Sequence, residues 1–444
     1  MSRSSACFAL CLAVLPAAPA WAGNGLTLSA NSRVRYETIE GQARAATNPS
    51  DQWTSLRTIL RADWRQGPWQ IVGEGWDSRV WGGNAGTPPT SSDVNTLEPV
   101  QAYVRYDAGA VLGRGSKTSL QAGRMAINIG SRRLIASDDY RNTTNAYTGI
   151  LAETALPSGV ALTGFYILPQ TRLPDDTASV LDQKQALDKE SLAAVLWGGL
   201  LAHQAKGSPH LAELSFIHFG ERDAPGHPTK DRSLNNLGLR LLSDPRVGHV
   251  DAGLEGIYQW GSTSASAVAG AAHMAVSASF LRAHAGYSFA GKAKPRLLAE
   301  LDRASGDAPG GSNGRFDTLF GMRRGDLAPS GLYNAVGRTN ILSAGLRLEV
   351  TPSRRTDAFI GWRGLWLAER RDSFSSTGVK DATGASGNFA GHQVDARLRH
   401  WVVPKHLRLE LDGVWLARGR FLESAPNGRV GNTRYVSISM TAFL

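Results

Sequence analysis

Beyond its first 22 residues the chain holds no apolar run long enough for a membrane helix, yet one segment after another sorts apolar from charged residues with a period of two. The longest later run, Leu192 to Ala202, covers 11 residues, against the ~18–20 that a spanning helix needs. The alternation is clearest in the last stretch, Arg434 to Leu444. Val436, Ile438, Met440, Ala442 and Leu444 fall on one face, and Tyr435, Ser437, Ser439, Thr441 and Phe443 on the other. Such a period makes a strand with one apolar and one polar face. Leu26 to Thr38 matches it: Leu26, Leu28, Ala30, Val34 and Tyr36 alternate with Thr27, Ser29, Asn31, Arg33, Arg35 and Glu37. A last strand of this kind is expected to pair with the first, which leaves no open edge.

The connections support the same reading. Long polar ones are expected at 41–52, 82–96, 128–146, 169–190, 221–233, 261–272, 305–337, 371–390 and 419–432. Short ones, most with Pro or Gly, alternate with them at 66–68, 107–117, 157–159, 206–209, 244–248, 291–294, 351–354 and 403–405. Together they join 18 strands. Alternating long loops and short turns and an even strand number predict a single transmembrane antiparallel β-barrel, with the long loops extracellular and the short turns periplasmic. A soluble sandwich gives no reason for the lengths to alternate.

The charges keep to one face. Arg57, Arg61, Asp63 and Arg65 oppose Leu56, Leu60 and Trp64; Gln101, Tyr103, Arg105 and Asp107 oppose Val100, Val104 and Tyr106. Arg347 and Glu349 oppose Leu346, Leu348 and Val350, and Asp395, Arg397 and Arg399 oppose Val394 and Leu398. In lipid the apolar face points outward, so the charged face lines the lumen. A charge facing lipid at mid-bilayer costs roughly 2–4 kcal/mol. Trp53, Trp69, Trp81, Trp260, Trp401 and Tyr435 lie near strand ends, as interfacial girdles require.

Arg3, an apolar run from Ala6 to Leu15, and Ala20-Trp21-Ala22 have the order of a cleavable secretory signal. Residues 1–22 are therefore expected to be removed and 23–444 to form the barrel in a Gram-negative outer membrane. Both cysteines, Cys7 and Cys11, fall in the signal, so no disulfide or Cys-based metal site is expected. The net charge is +10, with 39 Arg against 9 Lys. Guanidinium pairs two-pronged with carboxylates and phosphates, so an exported Arg-rich chain points to an anionic partner. A GC-rich genome produces the same bias. The export signal and the lack of a nucleic-acid motif argue against nucleic acid.

Gly123 to Gly149 carries Gly123-Arg124, Gly130-Ser131-Arg132-Arg133-Leu134 and Arg141-Asn142-Thr143-Thr144-Asn145-Ala146-Tyr147-Thr148-Gly149. With Gln101-Ala102-Tyr103-Val104, Tyr258-Gln259-Trp260-Gly261, Phe316-Asp317-Thr318-Leu319-Phe320 and Gly391-His392-Gln393-Val394-Asp395, this order resembles the alginate-export family of outer-membrane barrels. The resemblance implies a monomeric 18-stranded channel with an Arg-lined constriction for a polyuronate. It makes Arg124, Arg132, Arg133 and Arg141 constriction residues, with Asn142, Asn145 and Asp139 ordering an infolded loop. A turn held by salt bridges from Arg132 and Arg133 to Asp138 and Asp139 is the structural alternative. Arg33, Arg35, Arg57, Arg61, Arg105, Arg347, Arg397 and Arg399 complete the expected conduit. Glu37, Asp63, Glu349, Asp395 and Glu410 would keep any one site from holding the anion too tightly.

The expected partners are an anionic polysaccharide or other anionic solute, outer-membrane lipid, and periplasmic components of export or uptake. A porin for smaller anionic solutes or oligosaccharides is the nearest rival. A barrel enzyme would need a Ser/His/acid constellation, and the histidines have no G-x-S-x-G beside them. There is no HExxH or Walker A motif, Asp175-Asp176 and Asp138-Asp139 are read as solvated loop charge, and no cofactor is expected.

Overall fold

The computed structural model describes residues 24–444 except 85, 139, 225–226 and 323–326. The expected signal segment and Asp139 lie outside the described residues. The early strands are β1 (Gly25–Glu40), β2 (Ser50–Gln66), β3 (Trp69–Trp81), β4 (Asn95–Gly109), β5 (Lys117–Met125) and β6 (Tyr147–Ala155). The middle ones are β7 (Val160–Pro169), β8 (Ala194–His203), β9 (His210–Glu221), β10 (Ser233–Ser243), β11 (Val250–Ser264), β12 (His273–Ser288) and β13 (Arg296–Ala304). After the two-residue β14 (Ser312–Asn313) come β15 (Ile341–Ser353), β16 (Thr356–Trp366), β17 (Phe389–Val403), β18 (Leu407–Arg418) and β19 (Thr433–Phe443). Two five-residue helices, Thr177–Leu181 and Arg420–Ser424, lie in long connections.

All strands except β14 form one closed 18-stranded antiparallel barrel. Each pairs with its chain neighbours, and β19 returns to β1. There Val34 stands between Leu56 of β2 and Met440 of β19. Closure leaves every strand paired on both sides, which a spanning structure needs because lipid offers no hydrogen bonds. β14 pairs in parallel with β12 inside the connection after β13, a feature that strand counting misses.

The alternation is expressed as an inverted burial pattern. On β19, Tyr435, Ser437, Ser439 and Thr441 are buried, while Val436 and Ile438 are 42% and 54% exposed. On β1, Arg33, Arg35 and Glu37 are buried, while Leu26, Leu28 and Tyr36 are exposed. Apolar side chains thus coat the outer wall, where lipid replaces water. Aromatic pairs mark its two ends: Trp69–Tyr106 (4.7 Å) and Trp401–Phe443 (5.4 Å) near the short turns, Tyr258–Trp260 (5.7 Å) and Trp197–Phe216 (5.5 Å) near the long connections. Trp53 and Tyr435 depart from the girdle expectation. Both point inward and donate to Glu37, Trp53 Nε1 at 2.8 Å and Tyr435 Oη at 2.7 Å. A polar tip with a buried carboxylate to bond accounts for the inward placement.

A barrel of this size has room for an aqueous lumen, but its long-loop half is occupied by the chain itself. Connections 126–146 and 305–340 enter it and pair with each other. Phe320 N donates to Leu134 O (2.9 Å), Ala136 N to Phe320 O (3.1 Å) and Met322 N to Arg132 O (2.9 Å). Ile135, Phe316, Leu332 and Tyr333 of these segments, with Phe374 of connection 367–388, join one apolar cluster with the inward Ile167, Phe219, Phe280 and Leu416 of the wall. Near their long-loop ends the strands therefore turn apolar residues inward among buried polar ones such as Arg35 and Glu37, while towards their short-turn ends they are amphipathic.

Leu239, at the middle of β10, is 51% exposed on the outer wall. Leu239→Lys should reduce folding stability by roughly 2–4 kcal/mol, read from urea titration of folding into lipid vesicles. An unchanged midpoint would contradict the placement of this face in lipid.

Candidate functional site

The lumen below the infolded segments is walled by arginines. Pleating sends Arg240, Arg282, Arg296, Arg347 and Arg363 inward from β10, β12, β13, β15 and β16, and Arg133 descends to them from connection 126–146. A cavity of about 340 Å³ opens against Arg133, Arg240, Arg282, Arg296 and Arg347, with Glu255, Glu300 and Glu349 among its lining.

The guanidinium groups are paired with carboxylates in a series of neighbouring pairs and small clusters. Arg240 pairs with Glu213, and Arg133 with Glu255. Arg282 bonds Asp302 at 2.9 Å and also meets Glu300, which Arg363 approaches at 3.4 Å. Arg296 joins Asp251 to Glu349 (3.0 Å), and Arg347 reaches Glu349 at 3.0 Å. Arg347 also lies over the Phe359 ring at 3.7 Å, a cation–π contact. Arg397 and Arg399 share Asp357 at 3.4 and 2.9 Å. On the opposite wall Arg61 meets Asp63 (3.1 Å) and Glu74 (3.2 Å), and Arg105 meets Asp107 (3.2 Å) and Glu153 (3.1 Å).

The residues singled out from sequence divide into two sets. Arg61, Arg105, Arg133, Arg347, Arg397 and Arg399 stand in this polar half. Arg33, Arg35 and Arg57 lie higher and hold the infolded segment instead. Arg33 and Arg57 donate to the carbonyl of Arg141 at 2.8 and 3.0 Å. Arg35 donates to Tyr140 O at 2.8 Å and stacks on the Tyr140 ring at 4.0 Å.

Arg141 itself pairs with Asp138 (3.5 Å). Arg132, at φ +65°, donates within its own turn to Asn128 Oδ1 (2.8 Å) and Ser137 O (2.9 Å). Asn142 Nδ2 reaches the carbonyls of Leu56, Arg79 and Asp93 (2.9–3.1 Å), so one amide ties the segment to β2, β3 and the connection after β3. Asn145 Nδ2 reaches Ala136 O (2.9 Å) and Phe320 O (3.0 Å), across the two paired segments. Arg124 is bound to Glu98 and to Glu190 (3.1 Å), beneath connection 170–193.

Arg240, Arg282, Arg296 and Arg363 are not among the conduit residues expected from sequence. Each obeys the inward phase of its strand, so extending the face assignment to β10, β12, β13 and β16 would have found them. Arg172 carried no such signal. It lies half-buried in connection 170–193 and donates to Ser91 O (3.0 Å) and Asn145 Oδ1 (2.8 Å). Burial, then the neighbouring Arg141, lowers its guanidinium to about 10, which leaves it charged at neutral pH.

The model of the alginate export family matches residues 25–437. No curated protein matches the chain. Among solved structures, Pseudomonas aeruginosa OccK2 (OpdF) is similar with a TM-score of 0.58 at 13% identity, covering 94% of this chain and 97% of that one. Pseudomonas aeruginosa OccK8 (OprE) gives 0.59 at 11% identity, covering 95% and 99%. Acinetobacter baumannii OccAB1 gives 0.57 at 11% identity, covering 94% and 96%.

The Asn142 amide ties the infolded segment to two wall strands and one connection. Asn142→Ala should raise single-channel conductance and speed hydrogen exchange across 126–146, while exchange in β1–β3 stays slow. Unchanged exchange in 126–146 would show that other contacts hold the segment.

Proposed function

The chain belongs to the alginate export family, and we propose that it is an outer-membrane channel whose arginine face conducts a uronate-bearing polymer. The observation that carries this reading is the series of inward guanidinium groups, each already beside a carboxylate. A uronate carboxylate approaching Arg347 or Arg296 meets a partner whose charge Glu349 has partly satisfied. Exchange of one carboxylate for another keeps the guanidinium paired throughout, so neither capture nor release requires a bare charge. Guanidinium holds a carboxylate through two parallel bonds, and successive arginines along the wall repeat that contact. Binding that is weak and multiple favours passage over retention. No bond of the cargo is made or broken.

Uptake of single sugar acids is the second reading. The infolded segments narrow the long-loop half of the lumen, and one similar structure is OccK2 (OpdF) in complex with glucuronate. That ligand belongs to the other protein, and the shared chemistry is a sugar carboxylate.

Titration of polymannuronate against the single-channel current separates the two. The polymer reading predicts current block by polymannuronate and none by a neutral dextran of equal length. Arg347→Gln should weaken the block ~10-fold, the loss of about one charge-assisted contact. Block by glucuronate alone would assign the channel to small solutes, and block by dextran would remove charge from the mechanism.

A further inference from the structure

The short-turn rim differs from the long connections in its acids: the long connections set exposed cations such as Lys230, Arg371 and Lys380 among exposed Asp175, Asp182 and Asp223, whereas the rim is almost all cation. Lys117, Lys206, Lys292, Lys294 and Lys405 lie on it, five of the nine lysines in the chain. Arg114, Arg246, Arg354 and Arg355 stand beside them. All of these side chains are exposed. They are spread over the turns after β4, β8, β10, β12, β15 and β17, around the mouth rather than on one side of it. Asp244 is the acidic residue of these turns, and Asp107, at the end of β4, is engaged by Arg105.

The second observation is their pairing. Among the described residues, no carboxylate lies within ion-pair distance of any of these rim cations. The arginines of the lumen are paired, as described above, so their fields are largely cancelled close by. The rim cations project theirs into solvent. The pleat also aims Lys117 at the lumen. Lys117 is in phase with the inward Ser119 and Gln121 of β5.

We propose that this collar captures the polyanion at the short-turn mouth and hands it to the arginines inside. The proposal rests on the polyuronate reading and adds a loading end to it. Short turns of such barrels face the periplasm, so the collar places capture on the periplasmic side. Unpaired cations act on a polyanion across about one Debye length, ~8–10 Å at ordinary salt. Charge focused at a mouth raises association rates by ~10–10³, and salt abolishes the gain. The anionic headgroups of the surrounding leaflet are the other polyanionic surface within reach. The inward phase of Lys117, the first residue of β5, favours the mouth.

The test uses the full barrel in a planar bilayer. Val268, 71% exposed in the connection after β11, is replaced (Val268→Cys), biotinylated and bound by streptavidin to mark the long-loop side of each channel. Polymannuronate is added to either side, and the association rate of block is read at low and high salt. At low salt the short-turn side should exceed the long-loop side by ~10-fold or more, with the difference lost at high salt. The variant K117Q/K206Q/R246Q/K292Q/R354Q/K405Q should equalise the two sides.

Equal rates from both sides in the unaltered protein would overturn the collar and leave the polyuronate reading standing. So would a variant that keeps the sidedness. If the variant instead releases co-purified phosphatidylglycerol with unchanged block rates, the cations serve the leaflet and the proposal falls. Block from neither side would remove the polyuronate reading and the collar with it.

Discussion

Every backbone amide of a membrane-spanning strand must find its partner within the protein, because the hydrocarbon offers none. This requirement closes β19 onto β1, and closure gives each strand one wall facing lipid and one facing the interior. The lipid wall must be apolar, whatever the protein does. The interior is released from that demand, and this chain uses the freedom in two ways. Towards the long connections the inner wall mixes apolar side chains with fixed donors such as Arg35 and packs against the chain's own segments. Towards the short turns it is polar and built from arginine against carboxylate.

The two halves depend on each other. Segments 126–146 and 305–340 can remain inside only because wall residues supply both apolar contact and fixed donors. Arg33, Arg35 and Arg57 take the backbone carbonyls of Tyr140 and Arg141, groups that no strand partner reaches. Arg133 then leaves the infolded segment to pair with Glu255 on the far wall. One stretch of chain thus narrows the lumen and also places a cation in the conducting half. Gly331 marks the closeness of the fit. It adopts φ +86°, and any Cβ there would collide with the Glu37 carboxylate that already accepts from Trp53 and Tyr435.

Much of this was written locally in the sequence. Period two exposes the lipid face and the inward face of any strand, and the loop lengths give the number and direction of strands. Arg240, Arg282, Arg296 and Arg363 follow the same rule and needed only the face assignment of their own strands. The inward turn of 126–146 and 305–340 was not legible, because it arises from contacts between segments far apart in the chain. Phe320 meeting Leu134 has no local signature. Trp53 and Tyr435 show the same limit: a strand-end aromatic suits a girdle until a buried carboxylate such as Glu37 lies within reach. The separation of arginines into those that hold the plug and those that line the conduit likewise depends on depth in the barrel, which alternation does not encode.

The central claim is that paired arginines still leave the lumen a path for anions. The reversal potential of the purified channel under a salt gradient tests it most directly. A potential on the side of anion preference, shrinking as ionic strength rises, is the predicted result. A cation-selective or unselective pore would contradict it, since the carboxylates of these pairs would then cancel or outweigh their guanidinium groups.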